Sequence, residues 1–236
     1  MSVFKSMTIS IIIPVFNSHG AVRRQLEYFK LLNLPDSIEI IIMDDGSDPP
    51  LKFSTKRIKN CNIYPTGDTR PWTQPCAKNL GAKIAQGEFL FFTDIDHILT
   101  REAIAAVEVF DGDKMSFSRS FAVLNNHGVI NKDPEMLFKY GLDRRRYKKY
   151  GLDVYYHVNT FAIRKRVFEE IGGYPEKICN RGTYPTKDDR FFYHRYRKYC
   201  EAGFCKQETT GPGVHVFPAA VKDHMGLFHN LERKNK

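Results

Sequence analysis

Asp94 and Asp96, spaced as Asp-x-Asp, follow directly on an apolar run, Phe89-Leu90-Phe91-Phe92. An apolar segment that ends in acids is what an interior strand of a parallel sheet looks like where it meets a ligand. Open α/β sheets bind ligands beyond the carboxyl ends of their strands. Two carboxylates there offer hard oxygen ligands to a divalent cation such as Mg2+ or Mn2+. Asp94 could equally cap the helix that starts near Thr100, or both acids could be solvated. Two more polar turns follow apolar runs: Asn17 after residues 8–15, and Asp44-Asp45-Gly46-Ser47 after Ile38–Met43. Each alone is a good cap or turn signature. If the three strands are parallel, all these side chains gather on one sheet edge.

The elements needed to position them are legible. Residues 8–15 read as a buried, β-branched strand, and His19–Leu32 as a helix with Val22, Leu26 and Phe29 on one face. Residues 38–43 form a second strand, 62–64 a short third, and a short helix near 52–58 is expected between them. Pro65–Pro75 is a polar loop with Arg70 and the single tryptophan, Trp72. Cys76–Gln86 reads as a helix ended by Gly87, followed by a strand at 88–93 and a helix at 101–110. The strand–helix–strand order implies parallel strands with a right-handed crossover. The second half is less regular. Strands are expected at 114–124, 155–163 and 213–217, helices at 165–171 and 188–200, and loops at 125–150 and 180–186. The whole is an α/β chain with one domain over residues 1–236: a nucleotide-binding half at 8–110 and a more variable half at 111–236.

The bulk composition fits. The chain has 236 residues, 42% hydrophobic and 27% charged, which suits one soluble globular domain with a substantial core. No apolar run reaches the ~18 residues of a membrane-spanning helix, and the run from Ile9 lacks a signal-peptide cleavage site. A cytoplasmic location is the resulting expectation. The five cysteines are odd in number and show no C-x-x-C pair, which favours free thiols over a zinc site. The net charge is +9. Its densest cluster, Arg144-Arg145-Arg146-Tyr147-Lys148-Lys149, is either a solvated face or a contact for a polyanion.

In order along the chain, Ile12-Ile13-Pro14-Val15-Phe16-Asn17, Met43-Asp44-Asp45-Gly46-Ser47, Ala77-Lys78-Asn79-x-Gly81, Ala85-x-Gly87-Glu88-Phe89 and Phe92-x-Asp94-x-Asp96 resemble the nucleotide-sugar glycosyltransferases of the GT-A fold, in particular inverting family 2. The likeness covers residues 8–100 closely and continues more loosely. Ile171-Gly172-Gly173-Tyr174-Pro175-Glu176 resembles the segment bordering the acceptor site. Thr186-Lys187-Asp188-Asp189-Arg190-Phe191-Phe192 lies where the family places an acid pair that supplies the catalytic base. Here the chain departs from the pattern, since Lys187 stands for the first acid. Aligning on Phe191-Phe192 makes Asp188 the base, and counting back from Arg195 makes it Asp189. The first alignment is preferred.

The resemblance implies a GT-A-type, Rossmann-like domain with a mostly parallel sheet flanked by helices. It implies a metal-dependent, inverting, hexosyltransferase-like enzyme. Pro14, Phe16 and Asn17 with Asp44 or Asp45 would place base and ribose, and a carboxylate facing the uracil N3–H would favour UDP. Arg70 and Lys78 could pair with phosphate. Asp94, Asp96 and His215 would hold Mn2+ or Mg2+, with His224 competing for the histidine role and Asp94 able instead to bind sugar or ribose hydroxyls. The expected acceptor is a saccharide or lipid-linked saccharide, with the basic cluster against a membrane surface or a diphosphate carrier. The alternative is a hydroxylated base in DNA lying along Arg144, Arg145, Arg146, Lys148 and Lys149. A different class, an inactive nucleotide-sugar-binding module, is favoured only by Lys187. A nucleotidyltransferase would show a Gly-rich basic loop after the first strand, which Pro14–Ser18 is not.

Overall fold

The computed structural model describes residues 8–70, 73–154, 159–181, 188–205 and 208–218. Strands β1 (Ile9–Val15) and β2 (Ile38–Asp44) are buried at every position. Parallel strands covered on both faces are apolar without alternation, which is why the sequence shows unbroken Ile runs here. The two strands pair from Ile9↔Ile38 to Val15↔Asp44, linked by α1 (His19–Leu32). β3 (Cys61–Pro65) extends the sheet beyond β2. On the other side of β1, α2 (Gln74–Ile84) leads into β4 (Phe89–Phe92), again parallel.

Then follow β5 (His97–Ile98), α3 (Arg101–Glu108), β6 (Lys114–Phe121), β7 (Val123–Leu124), β8 (Ile130–Asn131), α4 (Pro134–Lys139), α5 (Arg144–Tyr150), β9 (Asp153–Val154), β10 (Phe161–Arg164), α6 (Lys165–Glu170), a 3-10 turn (Glu176–Arg181), α7 (Asp188–Glu201) and β11 (Glu208–Val216). The main sheet runs β3-β2-β1-β4-β10-β6-β11-β5, with β9 against β6. β10 lies antiparallel between β4 and β6, and β11 is parallel to β6. β1, β2, β4, β6 and β11 therefore point the same way, and their carboxyl ends share one edge.

Strand side chains alternate between two cores. One face buries Ile11 and Ile13 of β1 with Val22, Leu26 and Phe29 of α1 and Ile104 and Val107 of α3. The other buries Ile12 with Ala77 and Ala82 of α2, Val167 and Phe168 of α6, and Phe192 and Tyr196 of α7. Two glycines set the spacing of α2. A Cβ at Gly81 would lie 2.6 Å from Ile12 Cγ2, so the helix rests directly on β1. A Cβ at Gly87 would lie 2.5 Å from the Ser10 backbone nitrogen. Glu39 fastens the same corner, accepting from Ser10 Oγ (2.5 Å) and Gln86 N (2.6 Å). Gly87→Ala is expected to lower stability by about 1–3 kcal/mol, as overpacking does, read as a lower urea midpoint with an unchanged slope.

Several expectations are corrected. Residues 52–58 form no α-helix: Leu51 N is drawn back to the Asp44 carboxylate (2.8 Å), and Ile58 N closes only one turn, onto Thr55 O. The basic cluster is not loop but helix α5, because Asp143 caps it by accepting from Arg146 N; Asp133 caps α4 in the same manner through Met136 N. The strand expected at 155–163 is ordered as Phe161–Arg164, with 155–158 outside the described residues. The last strand is longer than expected, because Glu208–Val216 follows β6 across a register shift between Gly211 and Val214. Among the described residues, no helix is long and apolar enough to cross a membrane.

Candidate active site

Pro14, Val15, Phe16 and Ser18 from the end of β1, Asp45 from the end of β2, Gln74 at the start of α2, and Asp94, Ile95 and Asp96 after β4 line one cleft of about 140 Å³. Three turns far apart in sequence meet there because their strands are parallel neighbours. Asn17 takes a left-handed φ of 51°. Its backbone N–H donates to Ser47 Oγ (2.9 Å), and its Oδ1 accepts from Asp48 N (2.5 Å), which ties the first turn to the second.

The two adjacent acids have separate jobs. Asp44 closes its own turn, accepting from Ser47 N (3.0 Å) and Leu51 N (2.8 Å). Asp45 faces the cleft and accepts from the backbone N–H (3.0 Å) and hydroxyl of Thr73, at the N-terminus of α2. Arg70 is half-exposed on the preceding loop. Its guanidinium is engaged by Asp68 at 2.5 Å, with Cys76 Sγ at 3.4 Å. Trp72 lies outside the described residues.

The Asp-x-Asp turn is held from three directions. Gln25 of α1 donates to the carbonyls of Ile95 (3.2 Å) and His97 (2.6 Å). Asp94 Oδ1 accepts from Gln74 Nε2 (3.1 Å), and its Oδ2 accepts from Asn159 Nδ2. Asn159 in turn accepts from the buried Arg119 of β6 (2.7 Å). Asp94, Asp96 and His97 bring one ligand atom each within 4.8 Å of one another. The His97 ring pairs through Nδ1 with Thr160 Oγ1 and keeps Nε2 3.8 Å from Asp96 Oδ1.

Burial raises both carboxyls above the ordinary range, Asp96 to about 7 with the Asp94 charge adding to the effect. Two half-buried acids crowded in one turn are a donor set that a hard divalent cation fits. Its charge would offset their repulsion, and carboxylate oxygens with one imidazole nitrogen are ordinary ligands for Mn2+. His215 is placed differently. It sits on β11 with Nδ1 2.8 Å from Ser120 Oγ, and burial and Lys132 lower its pKa to about 4 while Glu102 opposes them. It is not in the Asp94–Asp96–His97 group. His224 lies outside the described residues.

The acid pair opens α7, where negative charge is favoured by the helix dipole. Asp189 Oδ1 accepts from Lys78 Nζ at 2.9 Å and from the Tyr174 hydroxyl at 3.3 Å. Asp188 is buried, and its Oδ2 has Lys78 Nζ at 3.8 Å but accepts no hydrogen bond among the described residues. Burial raises Asp188 to about 6, Lys78 pulls it down, and Asp189 and Asp94 push it up. Lys78, expected at phosphate, is instead fully buried between these acids and the Tyr174 ring. Tyr174 is fixed by Asn79, which accepts from its N–H (2.9 Å) and donates to its carbonyl (3.0 Å). The sequence motif Lys78-Asn79 thus joins α2 to the Gly172–Glu176 segment and to α7.

The sequence reading missed Gln74, His97, Arg119 and Asn159 as site components, while Tyr174 lies in the segment it placed beside the acceptor site. Only His97, beside the Asp-x-Asp, carried a local signal. The basic cluster is spread over α5, where Arg144 pairs with Glu135 (2.8 Å) and stacks on Phe138, and Arg146 donates to Asp153 O (2.5 Å).

The mixed sheet, with a cleft at the carboxyl ends of its parallel strands, defines a GT-A type of α/β domain. The chain belongs to the glycosyltransferase like family 2, whose profile matches residues 10–204. It is 26% identical over 185 residues to the O-antigen chain rhamnosyltransferase RfbN of Salmonella typhimurium, a match covering 72% of this chain and 56% of that protein. The chain thus spans little more than half the length of that relative. Among solved structures, S. aureus TarS 1–349 superposes with a TM-score of 0.57 at 16% identity, covering 97% of this chain and 65% of that one. TarS has also been crystallised with UDP and with UDP-GlcNAc. Mannosyltransferase PcManGT of Pyrobaculum calidifontis, in complex with GDP-Man and Mn2+, gives 0.55 at 16% identity, covering 91% and 58%. These likenesses establish a GT-A fold with a mixed sheet.

Proposed function

We propose that this chain transfers a sugar from a nucleotide-sugar, with UDP favoured, to a hydroxyl of a saccharide or lipid-linked saccharide, with inversion and with help from a divalent cation. The observation that carries this reading is the convergence of Asp45, Asp94 and Asp96 on one cleft, with a second acid pair, buried Asp188 and half-buried Asp189, electrostatically coupled to Asp94. The saccharide acceptor is preferred to DNA because the matched relative is named as an O-antigen chain transferase.

In this reading, Pro14, Phe16 and Asn17 shape the wall for base and ribose. Asp45 accepts from the base or ribose, and Asp44 keeps its turn closed. Asp94, with Gln74 and Asn159 fixing its carboxylate, orients sugar hydroxyls or shares the cation. Asp94, Asp96 and His97 would hold that cation, which supplies positive charge against the diphosphate leaving group when bound. Asp188 acts as general base. It takes the acceptor's hydroxyl proton as that oxygen bonds to the anomeric carbon. The bond from that carbon to the phosphate oxygen breaks, and the nucleoside diphosphate leaves. One displacement on one face inverts the centre. Arg70 stands at the loop that would cover the phosphates.

A thermal-shift panel of UDP-, GDP- and TDP-sugars with and without Mn2+ tests the donor side. Ligand at about 100 times its Kd adds about 2.7 kcal/mol of stability, so a donor produces a clear, Mn2+-enhanced rise. No shift with any of them, in protein that folds, would remove the proposal.

A further inference from the structure

Lys78 is a fully buried cation at the meeting point of three elements, and sugar transfer as described above gives it no task. Its ammonium sits 2.9 Å from Asp189 Oδ1, 3.8 Å from Asp188 Oδ2 and 4.7 Å from the centre of the Tyr174 ring. It cannot drift, because Gly81, three residues on and on the same helix face, is pressed onto Ile12, and Asn79 is locked to Tyr174 and to Glu176 (2.8 Å). The groups facing it are unequal. Asp189 accepts from both Lys78 and the Tyr174 hydroxyl, whereas Asp188 keeps an oxygen that is buried and, among the described residues, accepts no hydrogen bond.

A buried carboxyl beside a second carboxyl would ordinarily take up a proton and lose its value as a base. The charges acting on Asp188 are Lys78 from α2, Asp189 from α7 itself and Asp94 from the turn after β4, with only Lys78 of favourable sign.

We propose that Lys78 is the positioning residue of the base: its ammonium pins Asp189 against Tyr174, and that arrangement keeps the negative charge on the neighbouring Asp188, whose Oδ2 is left without a hydrogen-bond partner among the described residues. The inference rests on Asp188 being the base, and it divides the two acids by function. Asp189 is the anchor and Asp188 the proton acceptor, an asymmetry imposed by a cation whose own charge is preserved against burial by Asp189, Tyr174, Asp94 and Asp188.

The test is a carboxyl-carbon NMR titration of the full chain labelled at aspartate, with the Asp188 signal assigned by its loss in Asp188→Asn. In Lys78→Met the Asp188 midpoint should rise by about one pH unit or more, since an opposite charge within about 4–6 Å is worth one to three units. The acid limb of kcat/KM should move up with it, while UDP and GDP affinities stay within about twofold. An unmoved midpoint in folded Lys78→Met overturns the inference. So does a fall in nucleotide affinity with the midpoint unchanged, which would make Lys78 a phosphate ligand. If Lys78→Met fails to fold, Lys78→Met/Asp189→Asn removes the buried pair together, and its midpoint is compared with that of Asp189→Asn; equal midpoints overturn the inference. Near-normal turnover in Asp188→Asn would instead remove the base assignment on which the inference depends, a result the Lys78 titration neither mimics nor hides.

Discussion

Asp96→Ala is expected to reduce sugar transfer at least about a hundredfold while leaving the fold intact. Loss of even an outer partner of a metal ligand costs about 10–100-fold, and Asp96 is assigned here to the ligand set itself. The position favours a clean result. Asp96 keeps 35% of its side chain exposed, with 3.8 Å between its Oδ1 and His97 Nε2. Its backbone carbonyl, which accepts from Phe217 N at 2.9 Å, is kept by alanine. Asp94 is a poorer test, because its carboxylate also receives Gln74 and Asn159, and removing it strands both. In the absence of a cation the Asp96 carboxyl lies at about 7, pushed up by burial and by Asp94. Replacing it with alanine removes a like-charge contact with Asp94, and the melting temperature should hold. The decisive pair of measurements is the Mn2+-dependent thermal shift, present in the native chain and lost in Asp96→Ala, together with turnover. Native-like Mn2+ stabilisation and turnover in the mutant would place the cation elsewhere.

The parallel half of the fold was legible because strands buried on both faces are apolar at nearly every position, with only Ser10 and Glu39 interrupting the runs of β1 and β2 before their final turns. β1, β2 and β4 appear as apolar runs, and each ends in its functional turn. The glycines were legible as helix or turn signals, but not as contacts. Gly81 and Gly87 are small because Ile12 and the backbone at Ser10 occupy the space a Cβ would need. What stayed hidden was decided by tertiary closure. Asn159 reaches Asp94 across 65 positions, and Lys78 reaches Asp189 across 111; no local pattern encodes either. Asp44 and Asp45 look alike in sequence, and only the turn hydrogen bonds of Asp44 separate them. Helix α5 escaped notice because none of its residues is buried, so it has no apolar stripe to detect. Its cap, Asp143, was the one available sign.

Asp188→Asn should lower kcat by about 10²–10⁴-fold, the usual contribution of general-base catalysis, with donor affinity little changed. An amide keeps the size and polarity of the side chain but cannot accept the proton. The native enzyme should lose rate as pH falls through about 6, because burial, reinforced by Asp189 and Asp94 and opposed by Lys78, holds Asp188 well above an ordinary carboxyl, and only the ionised form is active. The residual activity of Asp188→Asn should lack that limb. Stability moves the opposite way. A carboxyl whose folded pKa is raised binds more protons folded than unfolded. Its penalty is absent below the unfolded value of about 4 and grows as pH rises to about 6. The amide carries no such penalty, so at neutral pH Asp188→Asn should melt no lower than the native chain, with Lys78 still held by Asp189 at 2.9 Å. Asp189→Asn separates the two acids. It removes the charge that Lys78 and Tyr174 share, so it should melt lower and shift the acid limb without abolishing it. If instead Asp189→Asn is the variant that loses both activity and the limb, while Asp188→Asn retains them, the base is Asp189, and the buried oxygen of Asp188 belongs to the helix terminus alone.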